Sequence, residues 1–116
     1  MEKLQVLVAN EPCAYREAIT GVLRELRPLI EVNAVEPDGL DREVARLRPH
    51  LVVCSRITVA VQAILGWVML YPDGENRAEI FTAGELVTVD NVEFGDLLSF
   101  VDRIELLFAG KADRIA

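Results

Sequence analysis

A short apolar run in the middle of the chain most constrains what it can fold into. Residues 51–55 read Leu-Val-Val-Cys-Ser, with Arg-Pro-His before them and Arg56 after them. An unbroken run of this length, rich in β-branched residues, predicts a strand that is buried on both faces. Such strands are typical of α/β proteins. At the carboxyl end of the strand, an open α/β sheet binds a ligand or holds a reactive group.

The amino-terminal half of the chain alternates between strand and helix patterns. A second buried strand is predicted at residues 4–9. Asn10, Glu11 and Pro12 follow it and favour a helix start, in which Asn10 caps the free amides and Glu11 suits the positive end of the helix dipole. Arg16 is expected to face water. The predicted apolar face of this helix comprises Ala18, Ile19, Val22, Leu23 and Leu26.

An edge strand and a short helix are predicted before the central strand. Residues 30–35 alternate imperfectly between apolar and polar side chains, as an edge strand with one solvent-facing side does. Leu40, Val44 and Leu47 then predict a short helix with one apolar face. Because parallel strands need crossover connections of this kind, the order predicts a right-handed parallel sheet.

The carboxyl-terminal half has a different pattern. A short helix is predicted at residues 58–65, with Gly66 as its end, and a fourth strand at residues 67–71. The turn at residues 72–76 is too short to hold a crossover helix, so a strand that follows it and pairs with the fourth must be antiparallel. Two further strand patterns separated by Ala-Gly predict a hairpin over residues 78–89.

A long helix is predicted at the end of the chain, capped by Asp90 or Asn91 and ending at Gly110. The chain has 116 residues, which is enough for one hydrophobic core without disulfides or metals. Residues 1–110 are therefore expected to form a single domain, and residues 111–116 a loose tail.

The composition excludes several classes of partner. The net charge is −7, and Lys3 and Lys111 are the only lysines, whereas nucleic acids and anionic membranes bind basic patches. Neither partner is expected. No stretch approaches about 18 apolar residues, which predicts a soluble cytoplasmic protein. Cys13 and Cys54 are too few for a secreted disulfide framework, so buried free thiols are expected.

Two stretches resemble the receiver domain of two-component response regulators. Residues 6–12, Val-Leu-Val-Ala-Asn-Glu-Pro, resemble the opening of that domain, and residues 48–55 resemble its third strand. The resemblance covers residues 3–56. It implies a three-layer, flavodoxin-like α/β fold, with a central, mostly parallel sheet and helices on both faces. The chain departs from the family after residue 72, where an antiparallel hairpin at the carboxyl-terminal edge replaces one helix.

The residues that carry the chemistry of receivers are absent. In that family an acidic pair after the first strand holds magnesium, an aspartate after the third strand accepts a phosphoryl group, and a lysine senses it. Position by position, the acidic pair falls on Ala9 and Asn10, beside Glu11, and the phosphoacceptor on Ser55. Tyr71 occupies the lysine position. Neutral oxygens hold magnesium poorly, and phosphoryl transfer depends on neutralised charge, so a degenerate receiver without metal or cofactor is implied.

The predicted function is that of a stand-alone, non-enzymatic module that acts in signalling or regulation by binding another protein. Self-association as a homodimer is expected, through the last helix or the edge of the hairpin. The alternative is a small-molecule sensor, because open α/β sheets bind ligands in the crevice beyond their parallel strands. A structural subunit of a larger complex is also left open. The residues predicted to line the crevice are Asn10, Cys13, Cys54, Ser55 and Arg56.

Overall fold

The computed structural model describes residues 3–72 and 75–115, with side chains described as far as Phe108. The strands in this part of the chain are β1 (Gln5–Ala9), β2 (Glu31–Ala34), β3 (Leu51–Cys54), β4 (Gly66–Leu70), β5 (Arg77–Thr82) and β6 (Glu85–Asp90). The α-helices are α1 (Cys13–Leu26), α2 (Leu40–Leu47), α3 (Val59–Gln62) and α4 (Phe94–Ile115). A 3-10 turn at Pro37–Gly39 leads into α2.

The strands form one mixed sheet in the order β2-β1-β3-β4-β5-β6. β1 pairs in parallel with β2 and β3, and β3 pairs in parallel with β4. β5 is antiparallel to both of its neighbours, β4 and β6. The predicted α/β class, the parallel half and the antiparallel hairpin are therefore confirmed. The hairpin loop has two residues, Ala83 and Gly84, with φ of 49° and 87°, as the tight turns of hairpins require.

Buried side chains form two clusters, because successive residues of a strand point to opposite faces of the sheet. The first cluster includes residues of α1 and α4; among its members are Val6, Val8, Ile19, Leu23, Val53, Val68, Val101 and Ile104. The second includes residues of α2 and α3; its buried members are Leu7, Ala9, Leu40, Val44, Val52, Cys54, Val61 and Trp67. β1 and β3 contribute to both clusters, as the unbroken apolar run of the central strand predicts.

The buried face of α1 differs from the predicted one. Its buried residues are Arg16, Ile19, Thr20 and Leu23. Ala18 is exposed, and Leu26 is 47% exposed. The expectation that Arg16 faces water is wrong, because Nη1 lies 3.4 Å from the main-chain oxygen of Asn10 and Nη2 lies 3.4 Å from a carboxylate oxygen of Glu36. Polar partners thus compensate for the burial of the guanidinium.

Three element boundaries differ from the predictions. α3 is a single turn, with Thr58 as its cap, since Thr58 Oγ1 accepts a hydrogen bond from the Val61 N–H at 3.3 Å. Gly66 does not end that helix but opens β4. α4 continues to Ile115, so Gly110 does not end it, and the backbone of the expected tail is helical. One glycine costs a helix only about 1 kcal/mol relative to alanine, which the neighbouring turns offset.

Candidate functional site

The carboxyl ends of β1 and β3 lie side by side, because Ala9 pairs with Cys54 in the parallel ladder. The residues that follow, Asn10 and Ser55, leave the sheet at the same edge. A hydrogen bond joins the two segments: the main-chain N–H of Glu11 donates to Ser55 Oγ at 3.1 Å. The structure therefore brings together the positions that match the acidic pair and the phosphoacceptor of receivers.

At this edge the Ser55 side chain connects the loop after β3 to the loop between β1 and α1. Its hydroxyl oxygen accepts the Glu11 N–H, which fixes the chain just before α1. The Glu11 side chain is exposed, and the first turn of α1 contains no acidic residue. Glu11 therefore lies outside the helix instead of in its first turn. Pro12 takes the N-cap position, and the peptide bond between Glu11 and Pro12 is cis.

Asn10 is a buried structural link. It is 0% exposed, and its Nδ2 donates a hydrogen bond to the main-chain oxygen of Leu70 at 2.8 Å, which joins the ends of β1 and β4 across β3. The prediction that Asn10 caps α1 is wrong, because its side-chain amide is directed to Leu70. Within the described part of the chain, Asn10 Oδ1 has no hydrogen-bond partner.

The crevice above the parallel strands is almost closed. Its volume is about 10 Å³, which is room for a single water molecule. Of the residues predicted to line it, Ser55 and Arg56 do so, whereas Asn10, Cys13 and Cys54 do not. The other lining residues are Ala9, Glu11, Pro37, Leu40 and Thr58. In this conformation the crevice has no space for a metabolite.

Tyr71, which the resemblance to receivers assigns to the lysine position, does not line the crevice. Its ring is half-buried against the first cluster and meets the edge of the Tyr15 ring on α1, with the centroids 5.5 Å apart. Its N–H donates to the main-chain oxygen of Arg77 at 3.0 Å. Tyr71 therefore connects the end of β4 to α1 and to the start of β5.

The two cysteines occupy separate environments. Cys54 is 1% exposed within the second cluster, and its Sγ lies 3.8 Å from the main-chain oxygen of Val68. Burial raises the pKa of the Cys54 thiol to about 12. Cys13 is exposed at the start of α1, where its Sγ lies 3.5 Å from a carboxylate oxygen of Glu17. Both thiols are free, so the expectation of two buried thiols is correct for Cys54 and wrong for Cys13.

We expect a thiol reagent at pH 8 to label one cysteine in the native protein and two in denaturant. Cys13 is accessible, whereas Cys54 is buried and, with its pKa near 12, is protonated at that pH. Mass spectrometry of the labelled chain and of the Cys13→Ser variant distinguishes the sites. Rapid native labelling of Cys13→Ser would contradict the burial of Cys54.

Arg16 is a residue of this region that the sequence did not predict. Thr20 lies one turn further along α1, and its hydroxyl donates to the main-chain oxygen of Arg16 at 2.7 Å. Both share a helical face with Ile19 and Leu23. In the sequence, the burial of Arg16 is indicated only by its helical spacing from Thr20, Ile19 and Leu23. The larger set of apolar residues that includes Ala18, Val22 and Leu26 predicts a different buried face.

A second candidate surface is the outer side of β6, which we call the hairpin edge. Leu86 is 56% exposed and Val87 is 43% exposed on this strand. A groove of about 230 Å³ separates the hairpin from α4. Its walls are Ile80, Thr82, Glu85, Val87 and Val89 on the hairpin, and Asp96, Ser99, Phe100 and Arg103 on α4.

Comparison with protein-family models, with curated proteins and with solved structures finds no match to this chain. In the described ranges, no three histidine, cysteine, aspartate or glutamate side chains come together as a ligand set for a metal ion. The helices in those ranges also lack the length and apolar composition that crossing a bilayer requires.

Proposed function

We propose that this chain is a degenerate receiver-like domain that does not accept a phosphoryl group and acts by binding another protein. The order of its first four strands, β2-β1-β3-β4, agrees with the order of flavodoxin-like folds. Residues of α1 and α4 in one buried cluster, and of α2 and α3 in the other, support a three-layer arrangement. The hairpin takes the place of the fourth crossover helix and fifth parallel strand of such folds.

The hydrogen bond between Glu11 N–H and Ser55 Oγ carries this proposal. A phosphoacceptor must present its oxygen to a phosphodonor and to a cation that neutralises charge. Here the oxygen at the phosphoacceptor position is Ser55 Oγ, which accepts a hydrogen bond from the loop before α1. Asn10 occupies the position of the acidic residue, and its side-chain amide donates a hydrogen bond to the main-chain oxygen of Leu70. The site keeps its place at the edge of the sheet, with side chains that stabilise the loops.

The hairpin edge supports the second part of the proposal, binding to a protein. It presents apolar side chains on both faces, with Leu86 on one and Val87 on the other. The net charge of −7 disfavours nucleic acids and anionic membranes as partners. A cytoplasmic protein partner, including a second copy of the chain, fits this combination of charge and exposed apolar surface.

The small-molecule sensor is the weaker alternative, because the crevice offers about 10 Å³. Ligand sites for small molecules have volumes of roughly 300–1,000 Å³. A sensor would therefore need the loops that carry Ser55 and Arg56 to separate. The hydrogen bond from Glu11 to Ser55 opposes that movement.

Treatment with acetyl phosphate and magnesium tests the first part of the proposal. We expect the intact mass of the protein to stay unchanged, because the Ser55 hydroxyl is held by the Glu11 N–H and, among the described residues, no set of three metal-ligating side chains is present to hold a cation beside it. An authentic receiver domain in the same reaction serves as the positive control. A stable phosphoryl adduct on the wild-type chain that is absent from the Ser55→Ala variant would overturn the proposal.

A further inference from the structure

The outer edge of β6 has free backbone hydrogen-bonding groups. Thr82 and Glu85 flank the two-residue turn and pair with each other, so they form a hydrogen-bonded pair of the antiparallel ladder. Hydrogen-bonded and non-hydrogen-bonded pairs alternate from there. The N–H and C=O groups of Leu86, Thr88 and Asp90 therefore point away from β5, and β6 has no further strand beside it among the described residues.

The two edges of the sheet differ in their protection. At the β2 edge, Arg24 covers the backbone, since its Nε and Nη2 donate to the main-chain oxygen of Val32 at 3.1 and 2.9 Å. β6 has no proline, no lysine and no break in register, which are among the usual devices that prevent strand addition, and its two acidic residues, Glu85 and Asp90, lie at its ends. The β6 edge is therefore available for pairing with another strand.

We infer that a second copy of this chain pairs with the hairpin edge, its β6 antiparallel to the first about a two-fold axis at Thr88. The inference deepens the proposed function, since it names the surface and the partner. In this register Thr88 faces its own symmetry mate, and Leu86 faces Asp90 of the second copy. These are the residues whose backbone groups are free, so each such pair can exchange two hydrogen bonds. Val87 then faces Val89 on the groove side.

No acidic side chain of β6 directly faces another in this register. Asp90 faces Leu86, and Glu85 faces Asn91, so no acidic residue of β6 lies directly opposite another. Like charges at those pairs would disfavour association. Two identical acidic chains can thus pair here without a direct acid–acid contact.

The groove has opposite charges at its two ends. α4 begins beside the end of β6 and runs back toward the hairpin turn. Ile104 marks this direction, because it lies against Gly66, and Gly66 pairs with Thr82 beside the turn. Arg103 therefore lies at the turn end of the groove and Asp96 at the other end. Arg103 has no ion-pair partner within the described residues. The two-fold axis brings the Asp96 end of the second copy toward Arg103.

Sedimentation and light scattering on the full chain test this inference. We expect a species of twice the chain mass of 12.9 kDa. Thr88→Pro should abolish the dimer, because it removes a central N–H that the ladder with β5 does not use. Circular dichroism checks that the variant keeps its fold. A wild-type chain that stays monomeric up to millimolar concentration overturns the inference and leaves the phosphodonor result unaffected.

Opposite charges at Leu86 test the register itself. Leu86→Asp places an acid opposite Asp90 twice in the dimer, and dimerisation should weaken about tenfold. Leu86→Lys places a cation there, and dimerisation should be retained or strengthened. Both substitutions remove the same exposed apolar side chain, so loss of hydrophobic area affects them equally. Equal weakening by both, or a dimer that both leave unchanged, would contradict the pairing of Leu86 with Asp90.

Discussion

Replacing Asn10 with aspartate is expected to lower the free energy of unfolding by about 3 kcal/mol at pH 7. Asn10 is 0% exposed, and its Nδ2 donates to the main-chain oxygen of Leu70. A carboxylate has no donor for that oxygen, and its charge would be buried beside it. The substitution introduces the kind of residue that the proposed resemblance to receivers would place here, so its cost measures how poorly the present site accepts a carboxylate.

The loss of unfolding free energy in Asn10→Asp should be larger at pH 7 than at pH 4, because the folded and unfolded states bind the carboxyl proton with different affinities. Burial raises the pKa of the introduced carboxyl above its unfolded value of about 3.9. The folded state then binds the proton more tightly, so the loss relative to the wild type is smallest below pH 3.9 and grows as pH rises through the folded-state pKa of this carboxyl. Urea unfolding at pH 4 and pH 7 measures the difference. In the protonated form, the carboxyl O–H can donate to Leu70 as the amide does.

Two controls separate charge from other effects of this substitution. Asn10→Leu removes the donor without adding a charge, so its loss of about 1–2 kcal/mol should be the same at both pH values. Asn76→Asp adds a carboxylate at an exposed site and should change stability by less than about 0.5 kcal/mol. A loss for Asn10→Asp that is no larger at pH 7 than at pH 4 would contradict a raised pKa for the buried carboxyl, and a loss that is larger at pH 4 would indicate that the nearby Arg16 guanidinium pairs with it.

The parallel half of the fold could be predicted because its signals are local. The β-branched runs of β1 and β3 identify strands that are buried on both faces, and the prolines at 12 and 49 lie at element boundaries. The hairpin could be predicted for a similar reason, since a turn of a few residues leaves no length for a crossover helix. In each case a few neighbouring residues determine the structure.

The candidate site could be predicted only in part, because its contacts span long sequence separations. The topology of a parallel sheet places Asn10 and Ser55 at one edge. Which acceptor Asn10 reaches depends on Leu70, which is sixty positions away. The burial of Arg16 likewise depends on Glu36, a residue of another element. The spacing of apolar residues along the helix predicts neither the contact of Asn10 with Leu70 nor that of Arg16 with Glu36.

The role of Gly66 in the packing of the core also depends on a contact with a residue that is distant in the sequence. The sequence suggests a helix end, whereas the structure uses the glycine for a close approach between β4 and α4. A Cβ at this position would lie 2.5 Å from Ile104 Cδ1 and 3.4 Å from the main-chain oxygen of Phe81. The absence of a side chain at Gly66 allows α4 to lie against the sheet.

Gly66→Ala is therefore expected to lower the free energy of unfolding by about 2 kcal/mol, because Ile104 is fully buried and must move to admit the methyl group. Chemical denaturation measures the loss. Gly21→Ala is the matched control, since a Cβ there meets nothing within 4 Å on the exposed side of α1. That variant should be stabilised by up to about 1 kcal/mol, because alanine has the higher helix propensity.

A double-mutant cycle tests whether the contact with Ile104 is the cause. Ile104→Val removes Cδ1, the atom that a Cβ at Gly66 would strike, and alone should cost about 1 kcal/mol. Combined with Gly66→Ala, it should cost about 1 kcal/mol less than the sum of the single losses, because the new methyl group occupies the vacated space. Additive losses would instead assign the cost of Gly66→Ala to contacts that valine keeps, of which the tightest is with Cγ1 of residue 104, 3.3 Å from the new Cβ.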